Sequence, residues 1–161
     1  MTQPIRAILV YVDGSAQSFA AARLAVVLAH SFGAELHSLS VVNTRALSDL
    51  VQAHIFLESE REEYRRDLEG DVERYMAKLQ EMGRRKGIIM QVHKAAGTVS
   101  MEIESLVKRL GIDLLILGEV AEIRSRRAEL FGETERAARN VPCSVLVAKD
   151  EDRIGDLYDS I

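Results

Sequence analysis

The sequence predicts an α/β fold: a five-stranded parallel open sheet, doubly wound, with helices on both faces in a three-layer α/β/α sandwich. Three observations carry this. Short apolar runs alternate with stretches of helical periodicity in the order β-α-β-α-β-α-β-α-β. Two of the runs, Ile5 to Val12 (IRAILVYV) and Asp113 to Leu117 (DLLIL), are nearly continuous rather than alternating, as suits strands covered on both faces. Turn residues stand at strand carboxyl ends, Asp13-Gly14-Ser15 after the first and Gly118 after the fourth.

The first strand leads through Ser15, a helix cap that can accept an N–H of the first turn, into a helix from Ala16 to Phe32. That helix is apolar nearly all round, so it is largely buried, and Gly33 stops it. Leu36 to Val42 is the second strand. Asn43-Thr44 opens a helical stretch from Arg45 to Lys86, too long for one globular helix, with a break expected near residue 50 or near the charged run from Glu58 to Asp67. Leu68, Val72, Tyr75, Met76 and Leu79 form a stripe that must face a core. The charged run from Glu58 to Arg74 either recruits a partner or, as such runs more often do, forms a solvated helix face supported by pairs such as Glu62–Arg66. Ile88 to Lys94 is the third strand. Gly97-Thr98 ends it and caps a helix from Val99 to Leu110, with Lys108 and Arg109 in the last turn. After the fourth strand comes a polar loop, Glu119 to Glu129, holding Arg124, Arg126 and Arg127. A short helix, Glu133 to Asn140, stops before Pro142, and Ser144 to Ala148 (SVLVA) is the fifth strand. Residues 1–149 make one domain. Residues 150–161 are an acidic tail, expected to be mobile.

A length of 161 residues suits one domain that folds without a disulfide or metal. A net charge of −4 argues against an electrostatic nucleic-acid binder. No run approaches the ~20 apolar residues of a membrane span. The start lacks the pattern of a signal peptide. The single Cys143 permits no internal disulfide and agrees with a reducing cytoplasm. It reads as a buried thiol rather than a redox sensor. His30, His37, His54 and His93 show no metal-ligand spacing and read as structural or surface residues. The P-loop, dinucleotide and nucleophile-elbow motifs are absent. In such a sheet the binding crevice lies beyond the strand carboxyl ends, here Val12-Asp13, Val42-Asn43, Lys94 and Gly118.

Four pieces, in order, carry a family resemblance. They are ILVYVDGS with its helix (residues 8–15), a strand ending Val41-Val42, Gly97 opening a helix before GIDLLILG (residues 111–118), and ERAARNVPCSVLVAK (residues 135–149). With these the chain resembles the universal stress protein family, a branch of the adenine-nucleotide α-hydrolase-like, Rossmann-like fold. The resemblance implies a stress-response or regulatory module and an adenosine pocket. In it Asp13 contacts the nucleoside and backbone groups near Val12 and Val42 read the adenine edge. Tyr11 stands where the family often has Pro.

The resemblance also implies a phosphate loop of the form G-x-x-G-x9-G-[ST], whose glycines let N–H groups approach phosphates. Here only Gly118 fits. The second glycine falls on Ala121, the third on Phe131, and the hydroxyl position on Gly132. In a register slipped by one, Gly132 fits but Glu133 takes the hydroxyl position. A charge-assisted hydrogen bond is worth about 1.5–3 kcal/mol. Two lost contacts therefore cost about 3–6 kcal/mol, a hundredfold or more in affinity. Glu119, Glu122 and Glu133 add negative charge, which the three arginines of the loop can offset.

The expectation is a non-enzymatic module with weakened or lost ATP binding. The alternative is a sensor that takes ATP (with Mg²⁺) or AMP and hydrolyses ATP slowly at most. Val12, Asp13, Val42, Gly118 and Gly132 are the candidate pocket residues; no catalytic or metal residue is assigned. Asp13 is either a ligand contact or a polar turn residue, and Gly118 either admits a phosphate or serves a tight turn. The family often pairs its last strand with a second copy, so Ser144 to Ala148 is the expected homodimer edge. A further protein partner is left unnamed, and neither nucleic acid nor membrane is expected.

Overall fold

The computed structural model describes residues 3–119 and 128–161, and for 128–131 the backbone alone. The chain forms β1 (Ala7–Tyr11), α1 (Ala16–Phe32), β2 (Glu35–Val42), α2 (Thr44–Gln52), α3 (Glu58–Arg84), β3 (Met90–Ala96), α4 (Val99–Leu110), β4 (Leu114–Gly118), α5 (Ala128–Asn140), β5 (Ser144–Ala148) and α6 (Glu151–Asp159). The sheet is parallel throughout, in the order β3-β2-β1-β4-β5. The chain runs outward from β1 to β3, then crosses back to the other side of β1. That reversal lies between β1 and β4.

Alternation along β1 divides the core in two. Ile8, Val10 and Val12 face a cluster with Phe19, Ala22 and Val26 of α1, Leu79 and Met82 of α3, and Ile154 and Tyr158 of α6. Leu9 and Tyr11 face the other side, with Ile103, Leu106 and Val107 of α4 and Ala137 of α5. These are the two helical layers. Ser15 caps α1 by accepting the Ser18 N–H at 3.1 Å, and Asn43 caps α2 by accepting from Ala46 at 3.0 Å.

The long helical stretch breaks at residues 53–57, just after residue 50 and directly before the charged run, as expected. Several other expectations need correction. The third strand starts two residues later than predicted, because β2 begins at Glu35 and Leu36 pairs with Met90; Ile89, left outside the ladder, is 85% exposed. Asp113 precedes β4 rather than opening it, and its carboxylate accepts the Arg6 and Ala7 N–H groups at 2.8 and 3.0 Å. The tail expected to be mobile is helix α6. Its Asp150 side chain accepts the Arg153 N–H, Ile154 and Tyr158 are buried, and the Tyr158 hydroxyl donates to the Met82 carbonyl at 2.8 Å. The Glu62–Arg66 pair does not form; Arg61 pairs with Glu58 and Arg65 with Glu69.

Candidate functional site

A cavity of about 270 Å³ opens beyond the carboxyl ends of β1 and β2. Tyr11, Val12 and Asp13 from the end of β1 form its floor, with Val41 and Asn43 beside them. Leu68, Asp71, Val72 and Tyr75 of α3 form one wall. Val99 of α4 and Glu133 and Thr134 of α5 form the other.

Of the predicted pocket residues, Val12 and Asp13 line this cavity and the rest do not. Val42 sits between two lining residues but is buried, and its carbonyl accepts the Gly97 N–H at 3.0 Å. The Val12 N–H is also engaged, donating to the Leu39 carbonyl at 2.9 Å. Gly118 faces α1: a Cβ there would lie 2.7 Å from the carbonyl carbon and oxygen of Gln17. Its lack of a side chain therefore serves the close approach of β4 and α1. Gly132 lies on α5, one residue before the lining Glu133. Ala121 and the arginines Arg124, Arg126 and Arg127 lie outside the described residues, as does Glu122.

Asp13 uses Oδ1 to accept the Ser15 N–H at 2.9 Å, which shapes the turn into α1. The turn residue between them, Gly14, has φ +89°. A Cβ on it would stand 2.3 Å from the Tyr75 ring. The left-handed backbone favours glycine there, and its missing side chain lets the Tyr75 ring lie across the turn. Tyr75 also meets Phe19 edge to face, with centroids 5.9 Å apart.

Glu133 performs the capping expected of Thr98. Thr98 makes no side-chain cap on α4; the Glu133 carboxylate accepts the Ser100 N–H at 3.0 Å instead. Burial pushes this carboxyl up, but the Ser100 hydrogen bonds and Arg136, 3.4 Å away, prevail and hold it below the usual range. Burial, then the Asp13 and Glu133 carboxylates, pushes the Tyr11 phenol far above its ordinary value. Burial, then Asp71, does the same in kind for Tyr75. Both phenols are therefore protonated donors at neutral pH. The cavity combines apolar walls, two phenol donors and three carboxylates, Asp13, Asp71 and Glu133. Asp71 is already paired with Arg74.

Sequence reasoning left open whether the stretch after Val42 covers the crevice; α3 forms one of the cavity's walls. The stripe Leu68, Val72, Tyr75 was the available signal, but periodicity tells only that a face is covered, not whether core or crevice covers it. Sequence reasoning missed that His37 and His93 meet across β2 and β3, Nδ1 to Nε2 at 3.0 Å. Cys143 is half-buried and its thiol is pushed up by burial, the state of an unreactive cysteine. Among the described residues, no group of three or more His, Cys, Asp or Glu could hold a metal ion. No helix among them is long and apolar enough to cross a membrane.

A doubly wound parallel sheet with a cavity at the carboxyl ends of its strands defines a Rossmann-like α/β protein with a ligand-type crevice. The profile of the universal stress protein family matches residues 4–149, and the chain belongs to that family. It is 26% identical over 142 residues to the universal stress protein MJ0531 of Methanocaldococcus jannaschii, covering 88% of this chain and 81% of that one. Among solved structures it resembles universal stress protein UspA from Lactobacillus plantarum, with a TM-score of 0.71, 24% identity, and coverage of 90% and 98% of the two chains. It also resembles a universal stress protein family protein from Arabidopsis thaliana with AMP bound, with a TM-score of 0.63, 14% identity, and coverage of 92% and 94%.

Proposed function

We propose that this protein is a non-enzymatic stress-response or regulatory module, dimeric through β5 and cytoplasmic, in which ATP binding is weak or lost. The chemistry of the cavity wall is the observation that carries this reading. Asp13, Asp71 and Glu133 present carboxylates there, and no lysine or arginine is among its described lining residues. Glu133 stands at the hydroxyl position of the slipped phosphate-loop register. Its carboxylate already occupies the Ser100 N–H at the start of α4, a type of donor that an anionic ligand would use. Gly118, the one glycine matching the loop in its first register, is turned against α1. These residues do not fit a triphosphate. The apolar walls and phenol donors fit a nucleoside better.

A second reading is a sensor that takes AMP, or ATP with Mg²⁺, and hydrolyses ATP slowly at most. The AMP in the Arabidopsis relative favours it. Calorimetric titration of the purified protein with ATP and Mg²⁺, after a check for co-purified nucleotide, separates the two. The expected outcome is no binding up to millimolar ATP. Micromolar binding, or nucleotide carried through purification, would overturn the first reading in favour of the second.

A further inference from the structure

Among the described residues, three of the eight exposed large apolar side chains fall within ten residues of one another: Ile55 (63% exposed), Leu57 (68%) and Tyr64 (43%). They lie where α2 turns into α3. His54 takes a left-handed backbone there, with φ +57°, costly for a residue with a side chain. Ile55 and Leu57 stand outward at this turn, and Phe56 between them is half-buried. Phe56 and Tyr64 meet with ring centroids 5.3 Å apart. Ile55, Phe56 and Tyr64 line a shallow groove of about 380 Å³, edged by Glu60, Glu63 and Asp67 from one face of α3.

The charge on this groove is unbalanced. Between Glu58 and Asp71 the chain has seven acidic and three basic residues, a surplus equal to the net −4 of the whole protein. Two of those three basic residues are spent locally. Arg61 pairs with Glu58 and reaches the Ser48 hydroxyl, and Arg65 pairs with Glu69. Glu60 accepts the Leu57 N–H. Glu63 and Asp67 form no ion pair among the described residues and face solvent beside an aromatic pair.

We propose that this groove docks a basic amphipathic helix of a partner protein, its apolar side chains on Ile55, Phe56 and Tyr64 and its lysines or arginines on Glu63 and Asp67. Charge selects this occupant over two others. In a two-fold contact a second copy would set the same carboxylates against each other. An anionic lipid surface would be repelled by them. Asp67, on the groove edge, is followed in α3 by Leu68, which lines the cavity wall. The inference rests on the interaction-module reading above and gives it a surface and a partner chemistry.

Fluorescence anisotropy of the full chain tests it. The probe is a labelled amphipathic helical peptide of lysine and leucine, and its control has glutamate in place of each lysine. The lysine peptide is expected to bind, more weakly as salt rises, and the glutamate peptide not at all. The exposed double variant Glu63→Lys/Asp67→Lys should weaken binding at least tenfold, as should Tyr64→Ser. The same charge reversal on α6, Glu151→Lys/Asp152→Lys, should change it less than about twofold. Equal loss in both charge-reversed proteins, or no binding of the lysine peptide, would overturn the proposal. So would self-association abolished by Ile55→Ser/Leu57→Ser, which would make a second copy the occupant. Tight ATP binding with peptide docking intact would instead sink the reading of the cavity and leave the groove standing.

Discussion

At Gly118 the neighbour of an added Cβ would be the backbone of Gln17 at 2.7 Å, which cannot swing away as a flexible side chain could. Gly118→Ala should therefore force β4 and α1 apart and cost about 1–3 kcal/mol, the range for overpacking. A urea midpoint lowered at constant m would measure it; an unmoved midpoint would mean that α1 yields and that the position has room for more than hydrogen. The same geometry makes Gly118 a poor place to test ligand binding, because loss of binding there would follow from loss of fold. At this scale the sequence disclosed the residues tied to a strand end: Val12 and Asp13 lie in the cavity because β1 must stop where the turn begins. It did not disclose Asp71 or Tyr75. They reach the cavity through the direction in which α3 crosses the sheet, a tertiary fact that no local pattern encodes. Glu133 was visible as an unwelcome charge, but not as the cap of a helix 33 residues earlier in the chain.

Elements with strong local signals were readable, and those fixed by their neighbours were not. α1 was legible from end to end because Ser15 and Gly33 mark its limits chemically. The start of β3 was not, because pairing with β2 chooses it. α6 escaped notice because its short acidic sequence has little apolar surface, and only docking on α1 and α3 gives Ile154 and Tyr158 something to bury against. The β2–β3 pairing has a second consequence. His37 lies opposite Gln91 and His93 opposite Leu39, so the two imidazoles are diagonal neighbours on one face. Glu35 lies 3.6 Å from the far nitrogen of His37. Burial, then His37 and then Arg109 of α4, holds the pKa of His93 below its ordinary 6.5, and the adjacent Lys94 is paired with Glu73 of α3. A histidine with a lowered folded pKa binds fewer protons folded than unfolded. Its contribution to stability is therefore complete above about pH 6.5 and is lost as pH falls from there through the folded pKa. Glu133 and Glu81, held low by their partners, begin to lose theirs only below about 4.5, which leaves the window between to His93. Urea melts from pH 7 to 5 should show stability declining, and His93→Gln should flatten that decline whatever it does to stability at pH 7. An unchanged slope in the variant would show that the pair does not govern this range.

The whole molecule has two open sheet edges, and it finishes them differently. β3 closes one side with Gln91, Lys94 and Ala96 exposed, and Lys94 is ion-paired to α3. Polar and charged side chains of this kind discourage pairing with another chain. β5 closes the other side with Ser144 and Val147 exposed, Val147 at 48%, and no charge within Ser144 to Ala148. Among the described residues β5 pairs with β4 alone, and α6 packs on α1. An apolar, uncharged edge beside a guarded one supports pairing of β5 with its own copy about a two-fold axis. Sedimentation should then find a dimer at tens of micromolar. Val147→Lys should set like charges near each other across that axis and raise the dimer dissociation constant tenfold or more, about 1.4 kcal/mol. Position 147 is exposed, so the variant should keep its urea midpoint when measured as a monomer. A wild-type protein still monomeric at high micromolar concentration would refute the β5 dimer. A dimer indifferent to Val147→Lys would place the interface elsewhere and leave this edge to another strand.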